Sequence, residues 1–396
     1  MNRVRPRYCN LYKIHRYAPR DTLISNFDVP PHNNRKERNN MEQPDIEQDV
    51  ETTLPSEDEQ SPYAPNRRDY RIVCTKLGLT MCVFFVCRFF AGEFSWLLGR
   101  ALVGAEQNIT FILQFTVIIM LVYVVPLLFA IVIFNSRVFY KGKLAELYKI
   151  PKRHARALGT FPAMFGLGHG TALLTLLAAF LLSRFTGGET IIEELFQPTT
   201  LEPAANVVYI IAMVFMVVVV APVFEEFLTR GIMFDALAPF GAGIAIIITA
   251  LLFGLMHGSL YMLFYTTAYG LALGYIRYAT NSLYVVTILH AIVNGIGATT
   301  LILASLATMT GGENRAVNTL QSMFLVVVLI AVIVGVCVFL SKIRSMRKYK
   351  IENPWTEIGP WKKIGIFFSS VPVIIMLVLA ANELSMGRLL DLVIGG

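Results

Sequence analysis

The chain has 396 residues, 55% of them hydrophobic and only 15% charged, with a mean hydropathy of +0.58. A water-soluble domain carries roughly 25% charged residues, so this composition excludes an ordinary soluble enzyme and a disordered chain and indicates a membrane protein. Lys and Arg total 34 against 27 Asp and Glu, a net charge of +7; charges crowd into the first 70 residues and a few loops, and the positive surplus belongs to the loops, where it reads as a membrane-orientation signal and not as nucleic-acid binding.

Residues 1–70 are polar, with no sustained apolar period, and are expected to be a disordered segment. The first twenty residues hold Arg3, Arg5, Arg7, Lys13, Arg16 and Arg20 and no acid, which suggests a transit peptide. A start codon assigned too early explains them better. Lys36-Glu37 can be encoded by a purine-rich ribosome-binding sequence shortly before Met41, and an acidic bacterial-type N-terminus follows. On this hypothesis residues 1–40 are a translation artefact. Mass spectrometry of the natural N-terminus tests it, and a peptide from residues 21–35 would refute it.

Residues 71–396 read as a transmembrane helical bundle. Apolar runs fall near 72–95, 109–135, 158–183, 205–238, 242–258, 260–279, 282–305, 319–341 and 364–384. Each is near the roughly 20 residues that cross a bilayer as a helix. Arg88 interrupts the first run, and the last is read either as a span or as a segment lying in the interface. The expectation is therefore an all-α polytopic bundle of eight or nine spans. Basic loops follow the second run (Arg137 to Arg156) and the eighth (Lys342 to Lys363), and an acidic loop with Glu189, Glu193, Glu194 and Glu202 follows the third. A cytoplasmic N-terminus puts every basic loop inside, in a bacterial plasma membrane. The five cysteines, Cys9, Cys74, Cys82, Cys87 and Cys337, include no Cys-x-x-Cys pair; they read as small apolar residues, with neither a disulfide framework nor a thiolate metal site.

Charged side chains in hydrocarbon cost at least about 2.5–3.5 kcal/mol each, so each needs a reason. Most lie between residues 205 and 303. The fourth run contains Pro222 and then Glu225-Glu226-x-x-x-Arg230; the fifth ends Phe253-x-x-x-His257; the seventh holds His290-x-x-x-Asn294. Glu225 and Glu226, about 100° apart on a helix, cannot share a face. Glu226 and Arg230 are i,i+4, suited to a structural ion pair. Glu225 is left without a local cation, available as general base or acid. Pro222 removes a helix hydrogen bond and favours a bend that admits water. Phe253 lies one turn from His257 and shapes the cavity around it. His290 and Asn294 project to one side and offer donors to an oxyanion; interhelical glue is the alternative for a lone pair of this kind. Glu225, His257 and His290 also make a two-His, one-carboxylate set that zinc could use, although Asn294 suits an oxyanion better than a metal. His169, among Gly166, Gly168 and Gly170, reads as a packing residue, and Asp235 and Arg277 as snorkelling near span ends.

Three motifs in this order on successive hydrophobic segments resemble the CPBP family of intramembrane proteases, which includes the type II CAAX prenyl endopeptidases and bacterial proteins once named for abortive infection or bacteriocin immunity. The resemblance covers about residues 205–303. It implies a CPBP-type intramembrane protease core with a membrane-embedded cavity open to the cytosol. It gives Glu225 and His257 the water-activating role and His290 and Asn294 the oxyanion role, with no metal cofactor. The implied activity is hydrolysis of a peptide or membrane-associated protein. Two other readings compete: a non-catalytic immunity or regulatory binding protein of the same family, and a small-solute transporter, weakened by the lack of inverted repeats.

Overall fold

In a computed structural model the described residues are 65–384, apart from 104–105, 135–142, 152–156, 187–205, 347–350 and 352–354. The orientation loops fall largely outside them, as do the polar segment up to residue 64 and the proposed artefact 1–40. All regular elements among the described residues are helices. They are α1 (Arg67–Ala101), α2 (Gln107–Ile133), the short α3 (Lys143–Leu147), α4 (Phe161–Thr186), α5 (Val207–Phe240), α6 (Ala242–Leu255), α7 (Leu260–Thr280), α8 (Leu283–Met309), α9 (Arg315–Met346), α10 (Pro360–Phe368) and α11 (Val371–Leu384).

Local chemistry sets the ends. Asn66, Asn206 and Ser259 each accept a hydrogen bond from the backbone N–H three residues on, capping α1, α5 and α7. Asn281, at φ 49°, closes α7 in the left-handed conformation that Asn tolerates. The cap at Asn66 corrects the expected boundary of the polar segment. Residues 67–70 are already helical, and Tyr70 is fully buried with its hydroxyl donating to the Lys363 carbonyl.

Every apolar run forms a helix, but not every helix can cross a bilayer. Among the described residues six helices are long and apolar enough, α1, α2, α4, α5, α8 and α9, and a seventh span is reached only if the pair α10 and α11, bent by 71°, counts as one. The expected eight or nine is not reached for two reasons. With 14 residues, α6 extends only about 21 Å at 1.5 Å per residue, against a hydrocarbon core of about 30 Å. The 21 residues of α7 carry Tyr261, Tyr265, Tyr269 and Arg277, which lower its apolarity. The end of α6 is inside the protein, with Leu255 and Met256 both 5% exposed.

The bundle is held by α4 against α9, α6 against α7, α1 against α11 and α7 against α4. Where α4 crosses α9, Gly166 meets Gly335 so closely that a Cβ on Gly166 would sit 2.0 Å from the Gly335 carbonyl carbon. Such small-residue crossings let membrane helices gain contacts that no hydrophobic force between them would supply. His169, one turn further on, has its Nδ1 2.7 Å from the Tyr269 hydroxyl on α7. The core around the polar cluster is aliphatic and aromatic, with Met233, Leu237, Leu252 and Leu289 sealed from solvent. The apolar side chains of α9, such as Met323, Val326 and Val327, are exposed on the surface that a bilayer would cover.

Candidate active site

The site is built on α5, the buried end of α6, and α8. Two stretches of α5 are wound as π-helix, Met216–Val220 and Phe227–Met233, with Glu225 and Glu226 on the turn between them. Such insertions accompany functional sites because they re-aim side chains and free backbone groups. Pro222 explains one of them. The Ala221 N–H bonds the Met216 carbonyl, five residues back. The next amide in that pattern, at Pro222, has no hydrogen to give. The Val217 carbonyl thus loses its helical partner, and the Asn294 side chain donates to it at 2.8 Å.

The two acids have separate roles. Glu226 and Arg230 are completely buried. Glu226 Oε1 receives the Arg230 Nη1 donor at 2.9 Å, and the same oxygen lies 2.9 Å from His290 Nδ1. With a carboxylate as acceptor, Nδ1 carries the hydrogen and donates. Sequence reasoning gave Glu226 only the ion pair and missed that it orients His290. The i,i+4 spacing shows a partner on the same helix and is silent about one on α8. Arg230 also donates to the Thr229 hydroxyl at 2.9 Å and to the Gly270 carbonyl on α7 at 3.3 Å, and its guanidinium carbon lies 4.3 Å from the Phe253 ring centroid. A buried ion pair offsets its desolvation only with added hydrogen bonds of this kind.

Glu225 faces the other side of His290. Its Oε2 is 3.9 Å from His290 Nε2, and its side chain is 12% exposed, so the carboxylate is nearly dry but not sealed. His290 is therefore held between two carboxylates, one at each ring nitrogen. The Thr229 hydroxyl donates to the Glu225 carbonyl at 2.5 Å, which ties the acid's backbone to the turn bearing Arg230.

His257 joins this cluster through Phe253. The Phe253 ring is in edge contact with both imidazoles, 4.9 Å from His257 and 5.5 Å from His290. His257 Nδ1 lies 2.8 Å from the Phe253 carbonyl. A carbonyl only accepts, so Nδ1 donates, and in the neutral imidazole this leaves Nε2 as a base. The geometry thus brings Glu225, His290, Glu226, Arg230, Phe253 and His257 together. Asn294 lies one turn beyond His290, with an amide N–H spent on Val217. Among the described residues no group of three His, Cys, Asp or Glu is arranged to hold a metal ion, the set Glu225, His257 and His290 included.

Arg277 and Asp235 do not snorkel. They form a buried ion pair at 3.0 Å, and Arg277 Nε donates to the Arg230 carbonyl at 3.1 Å. The pair fastens the second π stretch from α7. Sequence alone could not separate the two cases, because both place a charge near a helix end.

No curated protein and no solved structure matches the chain. Residues 207–296 match the family model described as type II CAAX prenyl endopeptidase Rce1-like. The matched segment begins with α5 and ends two residues after Asn294, so it contains every residue of the three motifs, and it is consistent with a protease domain of the CPBP family.

Proposed function

We propose that this protein is an intramembrane endopeptidase that hydrolyses a peptide bond with a water activated by Glu225 and His257. The reading is carried by one observation: a nearly buried Glu225 carboxylate 3.9 Å from an imidazole that a second, ion-paired carboxylate holds in place. Glu225 takes a proton from the water, assisted by the free Nε2 of His257. The water oxygen bonds to the substrate carbonyl carbon, and the carbonyl oxygen becomes an oxyanion. His290 carries a hydrogen on Nδ1 toward Glu226; protonated also at Nε2, it donates to the oxyanion, with the second amide hydrogen of Asn294 beside it. Glu225 then gives its proton to the leaving nitrogen as the C–N bond breaks. No covalent enzyme intermediate forms, and no metal is needed.

We place the protein in a bacterial plasma membrane with its N-terminus in the cytoplasm, and its substrate among peptides or membrane-associated proteins; the family description adds prenylated CAAX peptides as a class to test. The test is cleavage of an internally quenched prenylated CAAX peptide and of a leader-type peptide by the purified chain in lipid nanodiscs. Glu225→Gln and His257→Gln are each expected to lose about a hundredfold or more in kcat. Wild-type turnover by either variant would overturn the assignment. Function retained in cells by both variants would favour the non-catalytic immunity or regulatory reading.

A further inference from the structure

Arg88 lies on α1, outside the matched segment, in the middle of an apolar run. A cation there is costly, and the structure shows what it does. Its Nη1 donates to the carbonyl of Met256, the residue just before His257. Its Nε faces Glu383 Oε2 of α11 at 3.5 Å. Gly258, just after His257, adopts φ +66°, and a Cβ there would lie 2.5 Å from Arg88 Nη2 and 3.0 Å from Glu383 Oε2. The guanidinium therefore rests directly against the turn that carries His257.

The end of α6 needs such a partner. The last carbonyls of a helix have no intrahelical donor, and in a bilayer no water replaces it. Here the Met256 amide donates to the Leu252 carbonyl, the His257 amide to Gly254 and the Gly258 amide to Leu255. The His257 ring takes the Phe253 carbonyl. Arg88 supplies the donor for Met256, and its charge suits the negative end of the helix. Arg88 also stands within electrostatic range of Glu225, Tyr123 and His257.

We infer that Arg88, braced by Glu383, is a positioning residue that locks the buried end of α6 and so aims the free Nε2 of His257. This deepens the proposed hydrolysis and rests on it for its catalytic consequence. The structural part stands independently: α1 and α11, from outside the matched segment, complete the site.

The test uses the full chain in nanodiscs, with histidine ¹⁵N NMR and H257Q to assign the His257 signals. Wild type is expected to show His257 in a single Nδ1–H tautomer. R88M is expected to mix the tautomers and to lower kcat on the quenched prenylated CAAX peptide about a hundredfold, the scale of a misplacement near 1 Å, with KM within about twofold of wild type. R88K, which keeps one donor, is expected to fall between the two. If R88M does not fold, E383Q decides, with mixed tautomers and about a tenfold loss in kcat expected. A wild-type His257 signal in R88M, or in E383Q where R88M fails to fold, would overturn the inference. So would an unchanged kcat with a raised KM, which would make Arg88 a substrate-binding group. If the wild-type chain cleaves nothing, the hydrolase reading fails, while the tautomer signals still decide the positioning role.

Discussion

Glu226 Oε1 is the most constrained atom of the site, because Arg230 and His290 both depend on it. Glu226→Gln takes from the fully buried Arg230 its ion-pair partner, and breaking a buried pair from one side costs about 3–5 kcal/mol. The expected outcome is a large fall in thermal stability in detergent together with loss of turnover. Asn294→Ala separates the two effects. Its tie to the Val217 carbonyl is one neutral hydrogen bond, worth about 1 kcal/mol, whereas an oxyanion donor is worth about a hundred- to a thousandfold in kcat. Near-normal melting with that loss of kcat would support the oxyanion role; a matching small change in both would assign Asn294 to packing. These residues were legible because i,i+4 spacing encodes a shared face. The partners of Arg88 were not, since its contact with Met256 spans 168 residues of chain.

Helix shape was the least legible level. Met216–Val220 is a run of uniformly apolar side chains, so a shift from α to π winding leaves no trace in its periodicity. Pro222 announced a disturbance, and its result is a freed carbonyl at Val217 captured from α8. Pro222→Ala restores an N–H at that position, which competes with Asn294 for the same carbonyl. The helix is expected to melt at a higher temperature while turnover falls, as read by paired thermal and kinetic assays. The crossing of α4 and α9 makes the opposite demand. Gly166→Leu puts a side chain where a Cβ alone would already meet the Gly335 backbone at 2.0 Å. The two helices must separate, and a loss of about 1–3 kcal/mol or more is expected, with disulfide cross-linking between α4 and α9 as the measure of spacing.

At the scale of the molecule, the nine apolar runs located the helices, and the three motifs fall within residues 207–296, the segment that matches the family model. Run length was a poorer guide to the number of spans, because a helix can be as hydrophobic as α6 and still stop inside the protein. Burial by neighbouring helices and burial by lipid favour the same side chains, and sequence does not tell them apart. The proposed metal-free chemistry makes a prediction here too. Exhaustive chelation is expected to leave turnover of the quenched peptide unchanged in the intact chain, and activity restored only by added zinc would overturn the mechanism. The shared use of Glu226 Oε1 also bears on how such proteins diverge. Selection for mere assembly would preserve the acid, the arginine and the aligned imidazole, so a descendant that gave up cutting bonds and kept only a grip on its ligand would still look armed. Glu225, which faces His290 at 3.9 Å but takes no part in the Glu226–Arg230 ion pair, is where such a change of trade would first leave its mark.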